Sequence, residues 1–273
     1  MTPHLDPEVL AYYERGAEAG RLHHGHNRLE LWRTQDVLRR LLAGAAPGGE
    51  PLRVLDVGGG AGIHAQWLAA DGHRVTLVDP VPLHVEQAGQ LPGVAAVLGD
   101  ARALEAEDAS ADAVLLLGPL YHLPERADRL RALAEARRVV RPGGLVVAAT
   151  INRFAGLHDT LRSGAYFEPA KRAVTDACVA GGELRPVGGQ SLFTTAYFHQ
   201  PAQVPVEFEQ AGLTVRGQYG LEGAAWLLGI EERLDDPEQR ALVLDALRRA
   251  ESEPSLLGIS GHLLTAGTRR PQG

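Results

Sequence analysis

Five short apolar runs, separated by segments of helical pattern, constrain the fold of this chain more than any other feature. They cover residues 52–57, 74–78, 94–98, 113–117 and 145–150. Strands that are apolar along their whole length are buried on both faces, as in parallel sheets covered by helices on each side. Right-handed crossovers then bring the carboxyl ends of the strands to one edge of the sheet. The pattern predicts an α/β fold with a doubly wound, mostly parallel sheet.

Helical patterns follow the first, second and fourth runs, at residues 62–71, 83–90 and 126–140, and a short acidic helix is expected after the third. Two more helical patterns, at 7–18 and 29–42, precede the first strand. Beyond residue 150 the sequence predicts a helix at 201–211, a strand at 213–219, a mostly helical stretch at 221–254 and a final strand at 261–266.

The length fits a single domain over residues 1–273. Within it we predict a helical cap at 1–45, a cofactor-binding core at 52–150 and a lid insert at 152–199. Residues 200–268 form the C-terminal part of the sheet and carry a helical insert at 221–259.

Charge and composition exclude several classes of protein. The 27 basic and 34 acidic side chains give a net charge of −7, whereas binding to nucleic-acid phosphates needs clustered Lys and Arg. The apolar runs are far shorter than the ~20 residues of a membrane span, and no secretory signal is apparent. Cys178 is the only cysteine, which excludes an intrachain disulfide and suits a reducing compartment. We therefore expect a cytoplasmic protein that binds neither membranes nor nucleic acids.

Glycine makes up 32 of the 273 residues, and its densest cluster is the sequence DVGGGAG at residues 56–62. The cluster falls where the first strand turns into the first helix of the core. Gly58, Gly60 and Gly62 lack the Cβ atoms that would keep the backbone away from a ligand, and they tolerate positive φ. The N–H groups that open the following helix attract anionic or polar ligands. The turn is therefore a predicted ligand-binding loop.

Three acidic residues end successive strands. Asp56 ends the first strand, where an unpaired carboxylate is costly to bury. Asp79 ends the second strand, 17 residues beyond Gly62, a position from which an acid accepts hydrogen bonds from both ribose hydroxyls. Asp100, followed by Ala101, ends the third strand and is placed to accept from an exocyclic adenine amine. Three acids on one edge of the sheet predict a nucleoside-shaped site.

The segments VLDVGGGAG, VTLVDP, GDARAL, ADAVLLLGPLYHL and RVVRPGGLVVAA follow one another between residues 52 and 150. In order and spacing they resemble the motif series of the class I S-adenosylmethionine-dependent methyltransferases. The resemblance implies a Rossmann-like sheet of seven strands whose last strand, at 261–266, runs antiparallel. It also implies contacts with the cofactor at the strand ends. The methionine part would lie at Asp56, Gly58 and Gly60, the ribose at Asp79, the adenine at Asp100 and Ala101, and the cofactor floor at Leu117 and Gly118, with Gly62 and Pro80 as further cofactor contacts.

The N-terminal cap holds candidates for contact with the methionine carboxylate. In the family that this chain resembles, the corresponding segment often folds over the cofactor, so Tyr13 and Arg33 are candidate ligands. A solvated surface role is the alternative for each. His23, His24 and His26 form the sequence HHGH, but no Cys or carboxylate lies at ligand spacing from them. We therefore predict no metal site.

Tyr121 and His122 follow the fourth strand, on the edge where the transferred methyl group is expected. A histidine there is a candidate general base because its unperturbed pKa is about 6.5. The alternative is an aromatic pair that packs around the cofactor. His199 precedes a predicted helix and is a further candidate for the same cavity. Six of the 14 aromatic residues lie in the predicted lid, which favours either an apolar pocket wall or a small satellite core.

A dinucleotide is a rival ligand, because Gly60, Gly62 and Ala65 fit the looser Rossmann fingerprint. Asp56 and Asp100 have no role in that pattern, however, and a second mononucleotide half is missing after residue 150. The sequence GPLY at residues 118–121, in place of NPPY or DPPY, points away from amino methylation of nucleobases.

We predict an enzyme that transfers a methyl group from S-adenosylmethionine to a small-molecule acceptor and releases S-adenosylhomocysteine. One alternative keeps the cofactor but cyclises or cleaves it without methyl transfer. Another is a cofactor-binding module without turnover. The sequence leaves the acceptor open, and it leaves open whether the protein is a monomer or a homodimer.

Overall fold

The computed structural model describes Val9, Tyr13, Leu22, Gly25 and residues 27–185 and 193–271. The predicted N-terminal helix at 7–18 and the HHGH histidines lie outside the described residues, apart from Val9 and Tyr13. The described helices are α1 (Asn27–Ala45), α2 (Ile63–Ala70), α3 (Pro82–Ala88), α4 (Pro119–His122), α5 (Arg126–Val139), α6 (Ala155–Ser163), α7 (Pro169–Gly181), α8 (Gln203–Gln210), α9 (Pro237–Arg248) and α10 (Pro254–Leu257). Short 3-10 turns occupy Ala165–Phe167, Ala225–Leu227 and Glu231–Leu234.

The described residues form a nine-stranded mixed sheet. Its strands are β1 (Arg53–Val57), β2 (Arg74–Asp79), β3 (Val94–Leu98), β4 (Ala111–Leu116), β5 (Val140–Asn152), β6 (Glu183–Leu184), β7 (Ala196–His199), β8 (Leu213–Gly220) and β9 (His262–Arg269). The parallel part runs in the order β3-β2-β1-β4-β5. β9 lies antiparallel between β5 and β8. The α/β class, the five parallel strands and the antiparallel last strand are therefore confirmed.

The predicted number of seven strands is wrong for the described residues, because the insert after β5 contributes β6 and β7. β5 is 13 residues long and continues beyond Ala148, the partner of the last residue of β4. β7 pairs in parallel with this extension through Ile151–Phe198 and Asn152–His199, and β6 pairs antiparallel with β7. The part of β5 that extends beyond β4 therefore pairs with β7, which the apolar pattern of the core did not predict.

The short acidic helix expected after β3 is also wrong, since residues 99–110 form turns and an isolated bridge. Side chains hold this backbone in place of helical hydrogen bonds. The Asp100 carboxylate accepts from the Arg102 backbone N–H at 2.9 Å, and the Glu135 carboxylate accepts from the Leu104 N–H at 2.9 Å. The local bond from Asp100 competes with helix formation, and the bond from Glu135 on α5 ties the segment to a neighbouring helix. The stretch 221–254, expected to be mostly helical, contains two 3-10 turns before α9 begins.

Two apolar layers cover the sheet and leave its carboxyl edge open. On one face α1 and α2 contribute Val37, Leu38 and Leu68 to a core shared with Leu77. On the other face α5 and α8 contribute residues that include Leu133 and Phe208. Burial of these side chains removes apolar surface from water, which is the main driving force for the packing. The edge between the two layers is where the strand ends meet.

The insert after β5 forms a small core of its own. Ile151, Cys178, Leu184, Ala196 and Phe198 are buried together, and Tyr121 and Phe193 pack against them. This arrangement supports the satellite-core alternative for Phe198, whereas Phe167 is 74% exposed. Burial raises the pKa of the Cys178 thiol to about 11, so the thiol behaves as a small apolar group. No described helix is long and apolar enough to cross a membrane.

Candidate active site

A cleft opens at the carboxyl edge of the parallel strands, with an empty volume of about 1230 Å³ that includes its open mouth. The ends of β1, β2, β3 and β4 form its floor, and described cap residues reach it from the other side. Most residues predicted to contact the cofactor line this one cleft. They are Gly58, Gly60, Asp79, Pro80, Asp100, Ala101, Leu117, Gly118 and Tyr13.

The glycine-rich turn connects β1 to α2. Gly60 has φ +59°, and a Cβ on it would meet no atom within 4 Å, so the space above Gly60 belongs to the cleft. Gly62 has φ +90° and is the residue that precedes α2. It does not line the cleft, and a Cβ there would come within 2.5 Å of Leu91. This glycine serves close packing between the turn and Leu91, and its predicted contact with the cofactor stays a prediction.

Asp79 ties the glycine turn to the end of β2. Its carboxylate accepts from the N–H groups of Gly60 and Val81, each at 2.9 Å, and Nδ1 of His84 lies 3.0 Å from Oδ1. The side chain is nearly buried but lines the cleft. A carboxylate offers about four acceptor positions, so Asp79 can hold the turn and still accept from a ligand hydroxyl. Sequence reasoning missed His84, whose signal is its place five residues after the strand-end acid.

Asp100 lies at the end of β3 and forms an ion pair with Arg102. The shortest distance between their charged groups is 2.6 Å, and Arg102 also contacts Asp128 at 2.8 Å. Asp100, Ala101 and Arg102 all line the cleft. These ion pairs hold the loop after β3 beside the cleft. The loop can therefore contact the base of a bound nucleoside.

Asp56 does not line the cleft, and its predicted contact with the cofactor stays a prediction. The side chain is fully buried, and neither carboxylate oxygen has a hydrogen-bond partner among the described residues. A Cβ on Gly59 would lie 2.6 Å from Oδ2 of Asp56, which places the carboxylate directly beneath the turn. Burial, with a smaller contribution from the negative charge of Asp79, raises the pKa of Asp56 to about 7.

The two candidates from the cap have different outcomes. Tyr13 lines the cleft, and its hydroxyl lies 2.6 Å from Nε2 of His122. Arg33 is fully buried away from the cleft, so its predicted contact with the cofactor is wrong. Its guanidinium donates to the carbonyl of Leu221 at 3.0 Å, to Asp36 at 2.6 Å and to Glu251. This network joins α1 to the C-terminal insert.

Tyr121 and His122 lie on α4, directly after β4, and both line the cleft. The two rings meet edge-on with centroids 4.6 Å apart, and the ring of Phe193 lies 5.9 Å from that of His122. The pair therefore forms an aromatic wall at the end of β4. The geometry is compatible with both roles predicted from the sequence, namely packing around the cofactor and proton transfer.

His199 does not reach the cleft, so its prediction as a catalytic residue is wrong. The ring is fully buried on β7, with Nε2 at 3.5 Å from Glu207 and the Tyr197 ring at 4.7 Å. Glu207 also forms an ion pair with Arg129, whose Nη2 lies 2.9 Å from Oε1 of Glu207. Burial lowers the pKa of His199, against the opposing effect of the Glu207 charge. His199 belongs to a buried polar network that joins the insert to α5 and α8.

Two further residues of the cleft were missed from the sequence. His64 follows the glycine turn on α2, and its Nδ1 lies 3.3 Å from the indole Nε1–H of Trp67, which donates to it. In a neutral ring the proton then sits on Nε2. Glu30 lies in the first turn of α1 and reaches the cleft from the cap side. His64 and Trp67 carried a signal in their three-residue spacing, whereas Glu30 carried none.

Parts of this chain are similar to known proteins. Residues 55–148 match a family model described as a methyltransferase domain. A ubiquinone biosynthesis O-methyltransferase from Methylocella silvestris is 41% identical over 122 residues, which cover 43% of this chain and 44% of that protein. A protein of the same name from Methylobacterium sp. (strain 4-46) is 34% identical over 166 residues, covering 55% and 66%. The matches thus span less than two thirds of these relatives.

Solved structures share the fold over most of the chain. The PH0226 protein from Pyrococcus horikoshii OT3 superposes with a TM-score of 0.59 and 17% identity, covering 95% of this chain and 99% of that one. A SAM-dependent methyltransferase from Methanosarcina mazei gives a TM-score of 0.56 and 15% identity, covering 82% and 94%. At these identities the likeness shows the fold.

Fold and cleft define a Rossmann-like α/β protein with a nucleoside-shaped site at the carboxyl edge of its sheet. Together with the methyltransferase domain matched at residues 55–148, they support a class I S-adenosylmethionine-dependent methyltransferase. The predicted cofactor, S-adenosylmethionine, is thereby confirmed, and the dinucleotide alternative is overturned. The residues fit this cofactor, because the open space above Gly60 leaves room for a ligand and Asp79 and Asp100 line the same cleft.

Proposed function

We propose that this protein transfers the methyl group of S-adenosylmethionine to a small-molecule acceptor, at an oxygen atom. The observation that carries the proposal is the single cleft that unites the glycine turn, Asp79, Asp100 and the pair Tyr121–His122. Two relatives, similar over 122 and 166 residues, are named ubiquinone biosynthesis O-methyltransferases, which supports an oxygen atom as the acceptor.

When bound, S-adenosylmethionine supplies an activated methyl group that needs in-line alignment with the acceptor atom and exclusion of water. Asp79 and Pro80 would hold the ribose, and Asp100 and Ala101 the adenine. Leu117 and Gly118 would form the floor of the cofactor site. The aromatic wall of Tyr121, His122 and Phe193 would then orient a planar acceptor by ring contacts.

An acceptor hydroxyl loses a proton as the oxygen–methyl bond forms, and S-adenosylhomocysteine leaves. We propose that His122 takes this proton. Its Nε2 already forms a 2.6 Å hydrogen bond with the Tyr13 hydroxyl, so the acceptor hydroxyl would either replace Tyr13 there or transfer its proton through it. The buried histidine of the polar network, His199, has no such access.

Methyl-labelled cofactor and a panel of soluble catechols, phenols, amines and thiols test the proposal. We expect S-adenosylhomocysteine to appear only when a phenolic or catecholic acceptor is present, in amounts equal to the methylated product. Release of methylthioadenosine in the absence of any acceptor would instead show cleavage of the cofactor. Tight cofactor binding without turnover on the whole panel would contradict the proposed O-methyl transfer. His122→Gln should lower turnover, and His73→Gln, outside the cleft, serves as the control.

A further inference from the structure

Asp79, at the end of β2, is held by two backbone groups and one side chain. Its Oδ2 accepts from the backbone N–H of Gly60, and its Oδ1 accepts from that of Val81, each at 2.9 Å. His84 adds the side-chain contact, because its Nδ1 lies 3.0 Å from the same Oδ1. The contact with His84 is therefore the one that a substitution can remove while the backbone contacts stay in place.

The start of α3 brings His84 to the end of β2. The helix begins at Pro82, and His84 is its third residue. The His84 backbone N–H donates to the Val81 carbonyl at 3.0 Å, which closes the turn between strand and helix. Side chains on a helix lean towards its N-terminus. The imidazole therefore extends back over the end of β2 and reaches the acid five residues earlier in the chain.

The contact with Asp79 fixes which nitrogen of the imidazole carries the proton. A carboxylate only accepts hydrogen bonds, so Nδ1 of His84 is the donor. In a neutral ring Nε2 then has no proton. The charge of Asp79 is close enough to the buried Asp56 to raise the pKa of Asp56. A donor at Nδ1 of His84 stabilises the Asp79 carboxylate against this repulsion.

The His84 ring lies between the end of β2 and the helical cap. It is 6% exposed and lines the cleft. The ring of Tyr13 meets it edge-on, with centroids 5.3 Å apart. A ring that is almost buried, with a hydrogen bond at one atom and an aromatic contact from the cap, has little freedom to rotate. The Asp79 carboxylate that it contacts is thus held in one orientation at the wall of the cleft.

We infer that His84 is a positioning residue for recognition of the cofactor ribose. Its Nδ1–H holds the Asp79 carboxylate in the orientation that accepts from the ribose hydroxyls. The inference rests on the proposed function, which places the ribose at Asp79. His84 acts through Asp79, and the donor at the Nδ1 position matters more than the ring as a whole. The preference of the protein for a cofactor with intact ribose hydroxyls should therefore depend on His84.

Calorimetric titration with two probes measures this preference without any methyl acceptor. The first probe is S-adenosylhomocysteine, and the second is its analogue in which hydrogen replaces both ribose hydroxyls. The wild-type protein should bind the first more tightly, and the ratio of the two affinities is the ribose preference. His84→Phe keeps a ring beside Tyr13 but removes the donor to Asp79, and should lower the ribose preference by about 10-fold. His73→Phe changes a histidine outside the cleft, whose Nδ1 accepts from the Leu52 N–H, and should leave the preference unchanged.

Two further variants separate the donor from the ring. The amide nitrogen of Asn can occupy the position of Nδ1, whereas the longer side chain of Gln places its nitrogen nearer to the position of Nε2. His84→Asn should therefore retain most of the ribose preference and His84→Gln should lose it, and this comparison also decides if His84→Phe does not fold.

An unchanged ribose preference in His84→Phe, or equal losses in the Asn and Gln variants, would overturn the inference. Failure of the wild-type protein to bind either probe would contradict the proposed function itself. Tight wild-type binding of both probes without a preference would refute only the ribose assignment and the role of His84.

Discussion

The hydroxyl of Tyr13 lies 2.6 Å from Nε2 of His122, and this contact joins the cap to the end of β4 across the cleft. The Tyr13 ring also meets the rings of His84 and His122 edge-on, each with centroids 5.3 Å apart. Since His84 is bound to Asp79, one tyrosine connects the ribose side of the cleft with the side proposed for the acceptor.

Replacement of Tyr13 by Phe removes this hydrogen bond and keeps the ring. A hydrogen bond of this kind contributes roughly 1 kcal/mol, so we expect the affinity for S-adenosylhomocysteine to fall about fivefold in calorimetric titration. Tyr166→Phe removes a comparable 2.8 Å bond, to Asp176 on the exposed surface, and should leave the affinity unchanged. Equal affinities for the two variants would show that the hydrogen bond between Tyr13 and His122 does not contribute to cofactor binding.

Two neighbouring glycines should respond to alanine in different ways. A Cβ on Gly59 would lie 2.6 Å from Asp56 Oδ2 and 2.7 Å from Leu77, so Gly59→Ala should lower the free energy of unfolding by about 1–3 kcal/mol. Gly60→Ala adds left-handed strain of about 1–2 kcal/mol and also places a methyl group in the open cleft. Gly60→Ala should therefore lose more cofactor affinity than Gly59→Ala. The reverse order would contradict the assignment of this space to the ligand.

Asp79→Asn should weaken binding of S-adenosylhomocysteine by about 10-fold, equivalent to about 1.4 kcal/mol. The amide retains the shape of the carboxylate but loses the charge and one acceptor group that serve the glycine turn and the ribose. Asp71→Asn is a suitable control, because Asp71 pairs with Arg39 at 2.7 Å outside the cleft. An unchanged affinity in Asp79→Asn would refute the ribose assignment.

The buried Asp56 predicts an unusual pH dependence of stability. Its pKa is raised to about 7 in the folded protein, against about 3.9 in the unfolded chain. Between these values the folded state holds the extra proton, so the stability contribution of Asp56 falls as the pH rises from 4 to 7, by up to about 1.4 kcal/mol per pH unit. Above pH 7 the loss is complete.

Asp56→Asn removes this titration. Denaturant unfolding of the cofactor-free proteins should show that the variant gains stability relative to the wild type between pH 5 and pH 8. A difference between the two proteins that does not change with pH would mean that Asp56 is ionised or hydrated in the folded state, contrary to its burial.

Glu207 tests the buried network around His199. Burial raises its pKa, but the contacts with His199 and Arg129 outweigh this effect and lower the pKa. Glu207→Gln leaves the Arg129 charge without a counter-ion and should lower the free energy of unfolding by about 3–5 kcal/mol. Glu209→Gln, an exposed change on the same helix, should have little effect. Because the network lies outside the cleft, the variant, where folded, should retain its cofactor affinity; a selective loss of affinity would contradict the placement.

The sequence predicted the parallel core well, because each strand has its own signal of apolar length and flanking turn, and the first three also have an acid at or near their ends. The antiparallel last strand was recognised through the family resemblance. β6 and β7 could not be predicted, since two and four residues are too few for a periodic pattern and their pairing depends on how far β5 extends. The acidic segment after β3 was misassigned because its side chains bond to the local backbone.

The site was predictable where function depends on the position of a residue at a strand end, as for Asp79, Asp100 and Tyr121. The site was not predictable where the direction of a side chain decides whether the residue reaches the cleft. Asp56 and His199 occupy the expected elements but point into the interior. Arg33 is held by acids that lie close in space and, for Glu251, far along the chain. Glu30 reaches the cleft through the packing of α1 on the sheet, and no local pattern records that contact.

The pairing of β7 with the last two residues of β5 gives the insert two neighbouring attachment points, at Asn152 and His199. The chain leaves the sheet and returns to it within one strand spacing. The cofactor cleft is built from other strands. If the proposed acceptor site includes Phe193 of this insert, which contacts His122, exchange of the insert between relatives is expected to change the acceptor while the cofactor affinity is kept.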